Sequence, residues 1–138
     1  MKPITTIVCI VAMAWLTSSS AYACSCSLAS AEGNAQQTTI IFKGFAVEGP
    51  SSAFEDRNHY KFSPTKIYKG RQNIFFSIYS TSGIKDTCGR FFEKNTEYMV
   101  FAYEQRGKLF TNFCSSWPIL NEYSSKTKEV EEYFNQRK

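Results

Sequence analysis

The sequence predicts an all-β domain: a small five-stranded barrel with flanking helices. Aromatic residues make up 16% of the 138-residue chain and charged residues only 20%. That composition supplies apolar surface for a core and too little charge to keep the chain expanded. Runs of aromatic and β-branched residues recur between Gly, Pro and Ser turn signals. No long stretch of helical periodicity separates those runs, which argues against a doubly wound parallel sheet.

Residues 1–23 read as a secretory signal peptide. Lys2 supplies the positive start and Ile7–Leu16 the apolar centre. Ala21-Tyr22-Ala23 has the small-x-small form of a cleavage site. The apolar run is about ten residues, half of what a membrane-spanning helix needs. Residues 24–138 are then the mature domain, secreted to an extracellular or periplasmic space. Lys2 carries one unit of the chain's +4 formal charge and leaves with the leader.

Within the mature domain, Ser30–Gln37 is expected to form a short helix. Thr39–Val47 is the first strand, with Gly44 marking a bulge or strong bend, and Gly49-Pro50-Ser51-Ser52 ends it. Tyr60–Tyr68 is the second strand, and Pro64 within it points to an edge or bulge position. Lys69-Gly70 turns the chain into a third strand over Ile74–Tyr79, where Ile74, Phe76 and Ile78 share one parity. Thr96–Tyr103 is the fourth strand, and Arg106-Gly107 is a hairpin turn into Leu109–Phe113. The chain ends in a helix through Ser125 and Glu129–Lys138, with Val130, Tyr133 and Phe134 on one face. Arg137 and Lys138 suit the negative end of that helix dipole. Lys126, Lys128, Glu129, Glu131 and Glu132 read as its solvated face.

Five cysteines is a high and odd number for so short a chain. Cys9 lies in the leader. Removing it leaves Cys24, Cys26, Cys88 and Cys114, an even set in an exported domain, which implies disulfides. A Cys24–Cys26 bridge would close a strained ring. Cys24–Cys88 with Cys26–Cys114, or the crossed pairing, remains open. Either choice closes long loops, worth roughly 4 kcal/mol each in a chain-entropy account.

The position of these cysteines carries a functional signal. Chain termini usually fray, yet two of the first three mature residues would be tied to distant parts of the fold. Such a clamp preorganises the α-amine and carbonyl of Cys24 and the Ser25 side chain, lowering the entropic cost of binding. An α-amine and a carbonyl on one residue form a five-membered chelate for a metal. A catalytic zinc keeps one coordination position open, and this terminus could enter it. Because an α-amine titrates near about 7.7–8.0, binding should weaken in acid. The competing reading, a lipid on Cys24, meets a poor recognition sequence with the bulky Tyr22 and no Leu.

Cys24-Ser25-Cys26-Ser27 resembles the mature start of the tissue inhibitors of metalloproteinases, within the netrin-like domain family. The similarity continues through Ile41–Val47, Lys66–Gly70, Thr87-Cys88-Gly89, Glu97–Tyr103 and Thr111–Cys114 before Trp117-Pro118. The resemblance implies an OB-fold barrel with disulfides Cys24–Cys88 and Cys26–Cys114. It implies that Cys24 binds, in trans, the zinc of a target metalloprotease. Ser25 would face the mouth of the specificity pocket, and Ser27 and Leu28 would continue along the cleft. Asp86 and Thr87 would form a second contact ridge. Two positions depart from the family pattern: Gln36 near a usual third-disulfide cysteine, and Leu28 where many members have proline. The expected product is a monomeric, non-enzymatic inhibitor with no cofactor of its own and no membrane attachment unless Cys24 is lipidated. The alternative is a non-inhibitory netrin-like module that binds a protein or glycan, lipid-anchored in one version.

Other chemistries fit less well. A redox Cys-x-Cys needs an exposed thiol of lowered pKa, and a four-cysteine zinc site suits a reducing compartment. His59, the only histidine, reads as an exposed loop residue beside Glu55, Asp56 and Arg57, with no nucleophile organised around it. The Phe75-Phe76 and Phe91-Phe92 pairs read as barrel core and rim. The modest net charge and the export signal argue against nucleic acid as a partner.

Overall fold

The computed structural model describes Cys26 and residues 31–49, 59–80 and 88–138. The signal segment lies outside these residues. Helix α1 (Ala31–Gln37) leads into strand β1 (Ile40–Glu48), followed by β2 (His59–Lys69) and β3 (Phe76–Ser80). Strands β4 (Glu97–Gln105), β5 (Lys108–Thr111) and β6 (Ser116–Pro118) come next. A 3-10 turn (Asn121–Tyr123) then opens helix α2 (Ser124–Asn135).

The strands pair in the order β1-β2-β3-β5-β4, and β4 pairs back onto β1 to close a five-stranded barrel. The β3–β5 pairing is parallel and the others are antiparallel. Closure leaves those five strands with a neighbour on each side. β6 adds three residues to the outside of β4. It is too short to show a period, and the sequence reading missed it.

β1 pairs with both β2 and β4, and its pairing with β2 is irregular at three places. One of them is the expected bulge. Lys43 faces Lys66 while Gly44 faces Pro64, leaving Thr65 as the extra residue. A Cβ on Gly44 would lie 2.6 Å from the Ser63 carbonyl oxygen and 2.9 Å from Pro64 Cα. Both are backbone atoms that cannot move aside cheaply, so glycine is required by close approach. Pro64 therefore sits at a bulge and not at an edge. The hydroxyl of Thr65 lies 3.0 Å from the Lys43 carbonyl oxygen and 2.6 Å from Glu97 Oε1, sharing its proton between them.

The β4–β5 hairpin turns on Arg106 (φ 52°) and Gly107 (φ 74°). Two consecutive left-handed residues match the right-handed twist of the strands they join. The third strand starts two residues later than expected. Ile74 is 76% exposed, whereas Phe76 and Ile78 are buried. The fifth strand is correspondingly short, ending at Thr111.

Two apolar clusters sit on opposite faces of β1 and β4. Phe42, Tyr60, Phe62, Phe76, Ile78, Phe92, Tyr98 and Val100 belong to the barrel interior. Ile41, Met99, Phe101, Trp117, Val130, Ala31 and Ala35 form an outer core beneath the helices. This double use explains why Tyr98–Ala102 is buried without alternation. Tyr133 and Phe134 pack with Val130 as expected from the helical stripe.

Helix α2 ends at Asn135, so Arg137 and Lys138 lie beyond its last turn. Arg137 instead approaches Glu32 of α1 at 3.5 Å. Lys126, Lys128, Glu129 and Glu132 of α2 are exposed as expected, and Glu131 is half-buried. Glu129 accepts a hydrogen bond from the Ala31 amide at 2.9 Å, acting as a distant cap for α1. Glu131 accepts from Lys43 Nζ at 3.1 Å and from the Tyr68 hydroxyl at 3.0 Å. At the other end of α1, Lys69 Nζ donates to the carbonyls of Ala35 and Thr38.

Candidate functional site

Cys26, Cys88 and Cys114 are the described members of the expected site. Cys24, Ser25, Ser27, Leu28, Asp86 and Thr87 lie outside the described residues. Cys26 is bonded to Cys114, with Cα atoms 5.3 Å apart across a sequence separation of 88 residues. This excludes the crossed pairing. Cys88 is disulfide-bonded as well, and its partner lies outside the described residues.

The segment that receives Cys26 is a tight polar turn. Asn112 Oδ1 accepts from the backbone amides of Cys114 and Ser115, at 2.9 and 3.0 Å. An asparagine side chain used this way imitates a backbone turn. Ser115 Oγ accepts from the Asn112 amide at 3.0 Å, and Ser116 Oγ donates to the Asn112 carbonyl at 2.7 Å. Below the turn, the buried Thr111 hydroxyl donates to the Phe101 carbonyl at 2.9 Å. Cys114 is thus held on a turn whose polar groups are bonded internally and whose root is in the outer core.

Cys88 meets the same turn. The Phe113 amide donates to the Cys88 carbonyl at 2.8 Å. Two residues on, the Arg90 amide donates to Ser80 Oγ at 2.8 Å, fastening this strip to the end of β3. The guanidinium of Arg90 donates through Nη2 to the Phe113 carbonyl at 3.2 Å and lies 4.4 Å from the centre of the Phe113 ring. Burial pulls the Arg90 pKa below its ordinary value, opposed by Tyr123 and Tyr98 nearby. Sequence reading assigned Arg90, Asn112 and Ser115 no role, because their contacts span ten or more residues or depend on the turn itself.

A cleft of about 450 Å³ opens beside this turn, lined by Gln37, Thr38, Tyr103, Glu104 and Cys114 among others. Among the described residues, no group of three His, Cys, Asp or Glu side chains is arranged to hold a metal. No described helix is long and apolar enough to cross a membrane.

His59 is not a loop residue. It opens β2, its ring stacks on Tyr79 with centroids 4.8 Å apart, and its Nε2 is buried without a hydrogen-bond partner. Tyr79 continues to Phe110 at 5.6 Å and Phe110 to Tyr103 at 6.1 Å. This row crosses four strands on the outside of the barrel. Lys108 Nζ stands 4.7 Å from the Tyr79 ring centre. The phenylalanine pairs divide as expected: Phe76 and Phe92 are buried, while Phe75 and Phe91 are exposed. No family model matches the chain, and no curated protein matches it.

Proposed function

We propose that the chain is a secreted, non-enzymatic inhibitor of zinc metalloproteases, acting through the amine and carbonyl of a mature N-terminal Cys24. The observation that supports this most is convergence at one turn. Cys26, two residues after Cys24, is bonded to Cys114. Cys88, immediately after Asp86-Thr87, is hydrogen-bonded to Phe113. Cys26 and Cys88, which neighbour the two proposed contact segments in sequence, are therefore both attached to this turn. The closed barrel with a parallel β3–β5 pair supports the OB-fold, netrin-like assignment.

In this reading Cys24 pairs with Cys88, and the target supplies the zinc. The terminus displaces the zinc-bound water and leaves no open position for a nucleophile. Ser25 is small enough to sit at the specificity pocket, with Ser27 and Leu28 along the cleft and Asp86 and Thr87 opposite. The test is the mature chain with one alanine added before Cys24. Inhibition across a panel of zinc proteases should fall by more than the roughly 10–100-fold that losing an outer-shell partner of a metal ligand costs, while the thermal midpoint stays put. Undiminished inhibition by the extended chain sinks the mechanism.

A second reading is a non-inhibitory netrin-like module that binds a protein or glycan, in one version anchored by a lipid on Cys24. The partly exposed row His59–Tyr79–Phe110–Tyr103 favours it, since aromatic side chains are enriched at recognition surfaces. Mass spectrometry of the exported protein separates the two: a lipid on Cys24 removes the free amine that chelation needs.

A further inference from the structure

We infer that Arg90 is a positioning residue: it locks the Cys88 strip and the Cys114 turn into one rigid edge. The inference rests on the inhibitory reading only for its consequence. The lock itself is a matter of geometry.

Phe113 is gripped at three points. Its amide is held by the Cys88 carbonyl, its carbonyl by Arg90 Nη2, and its ring by the face of the same guanidinium. Arg90 is rooted separately, through its own amide, on the buried Ser80 at the end of β3. The Asn112 side chain accepts a hydrogen bond from the Cys114 amide. The edge therefore has two independent braces, and the Arg90 brace joins the Cys88 strip to the Cys114 turn through a side chain. A planar guanidinium can stack on a ring and donate in its own plane at the same time; an ammonium cannot. Arg90 Nε is buried without a hydrogen-bond partner. Placing that donor out of water is unfavourable, while the guanidinium is also hydrogen-bonded to Tyr123.

The edge bears directly on the proposed site. Asp86-Thr87 precedes Cys88, and Cys24-Ser25 precedes Cys26, which is bonded to Cys114. Under the inhibitory reading, a change in the offset between residues 88 and 114 would be passed to the two segments proposed to contact the protease. Geometry at a metal and at a reacting centre tolerates little displacement.

The test compares wild type, Arg90→Lys and Arg90→Ala by amide hydrogen exchange and by inhibition of the zinc protease that the wild-type chain inhibits best. Exchange at the Phe113 amide should accelerate about tenfold in both variants, as a local opening. The amides of Ile78 and Val100 in the barrel should keep their wild-type rates. Inhibition should weaken in parallel with Phe113 exchange, and lysine should not restore it. Unchanged Phe113 exchange overturns the inference, and so does uniform acceleration through the barrel, which would make Arg90 a general stabiliser. Local loosening with unaltered inhibition overturns its positioning role while leaving the inhibitory reading intact. If wild type inhibits no protease, that reading fails, and the exchange measurement alone decides whether Arg90 locks the edge.

Discussion

The two faces of β1 and β4 bury their side chains by different means. Inside the barrel, Phe42, Phe62, Phe92 and Tyr98 meet mostly edge to face, with ring centres 4.9 to 6.2 Å apart. Such contacts stabilise beyond simple burial, and the closed ladder fixes their register. Outside, Ile41, Met99, Phe101 and Trp117 are covered by two helices that touch the sheet along a narrow stripe. That layer needs polar hooks to set the helices in place: Glu129 on the Ala31 amide, the Trp117 indole on the Thr127 hydroxyl at 3.0 Å, and Glu131 on Lys43 and Tyr68. A closed sheet orients its own core, whereas a helix on a sheet can slide or roll unless something directional holds it.

The largest test of this contrast is inside the barrel. Phe62 is fully buried and touches three aromatic rings. Phe62→Ala should cost about 3–5 kcal/mol, read as a lowered denaturation midpoint with cooperative unfolding kept. Next comes Val130→Ala beneath α2. Two methyl groups are lost, worth about 1.6 kcal/mol of burial. Exchange should speed first in α2 and α1, with Ile78 and Val100 amides still protected. Equal loosening of both layers would show that the two cores form one cooperative unit.

The smallest effect is electrostatic. Lys43 beside Glu131 holds the Glu131 carboxyl below the usual range, with the Tyr68 hydroxyl adding to this and burial opposing it. A lowered folded value means that the carboxylate's contribution is present above about pH 4.3 and is lost as the pH falls through the folded value. Burial, and then the bond to Glu131, raise the Tyr68 pKa. That contribution is full below about pH 10 and disappears as the pH rises through the folded value. The Glu131 side chain is 34% exposed, so screening limits the pair to about 0.5 kcal/mol. Glu131→Gln should lower the melting temperature slightly at pH 7, and the difference should shrink as the pH falls below the usual carboxylate range. A difference that does not shrink with falling pH would assign the effect to packing.

Local features of the chain anticipated much of this architecture. Gly44 marked the bulge because a strand shared by two neighbours must be approached closely by backbone. Arg106-Gly107 marked a hairpin because a two-residue connection demands left-handed torsions. Val130, Tyr133 and Phe134 marked the docking stripe through their spacing. Elsewhere local signals misled. Ile74 and Phe75 extend an apolar alternation, but the pairing of β3 with β2 ends at Phe76. His59 sits among polar residues, yet it stacks on Tyr79 from the neighbouring strand. β6 has three residues and exists only because β4 offers a free stretch to pair with.

The sequence by itself determined the barrel class, the turns and the cysteine set, because these follow from side-chain period, backbone torsion and composition. Which charges of α2 became hooks was decided only by the tertiary structure. The same is true of the Arg90 grip on Phe113. Those contacts join residues far apart in the chain, and the energy of a polar contact depends on burial and angle that no local pattern specifies.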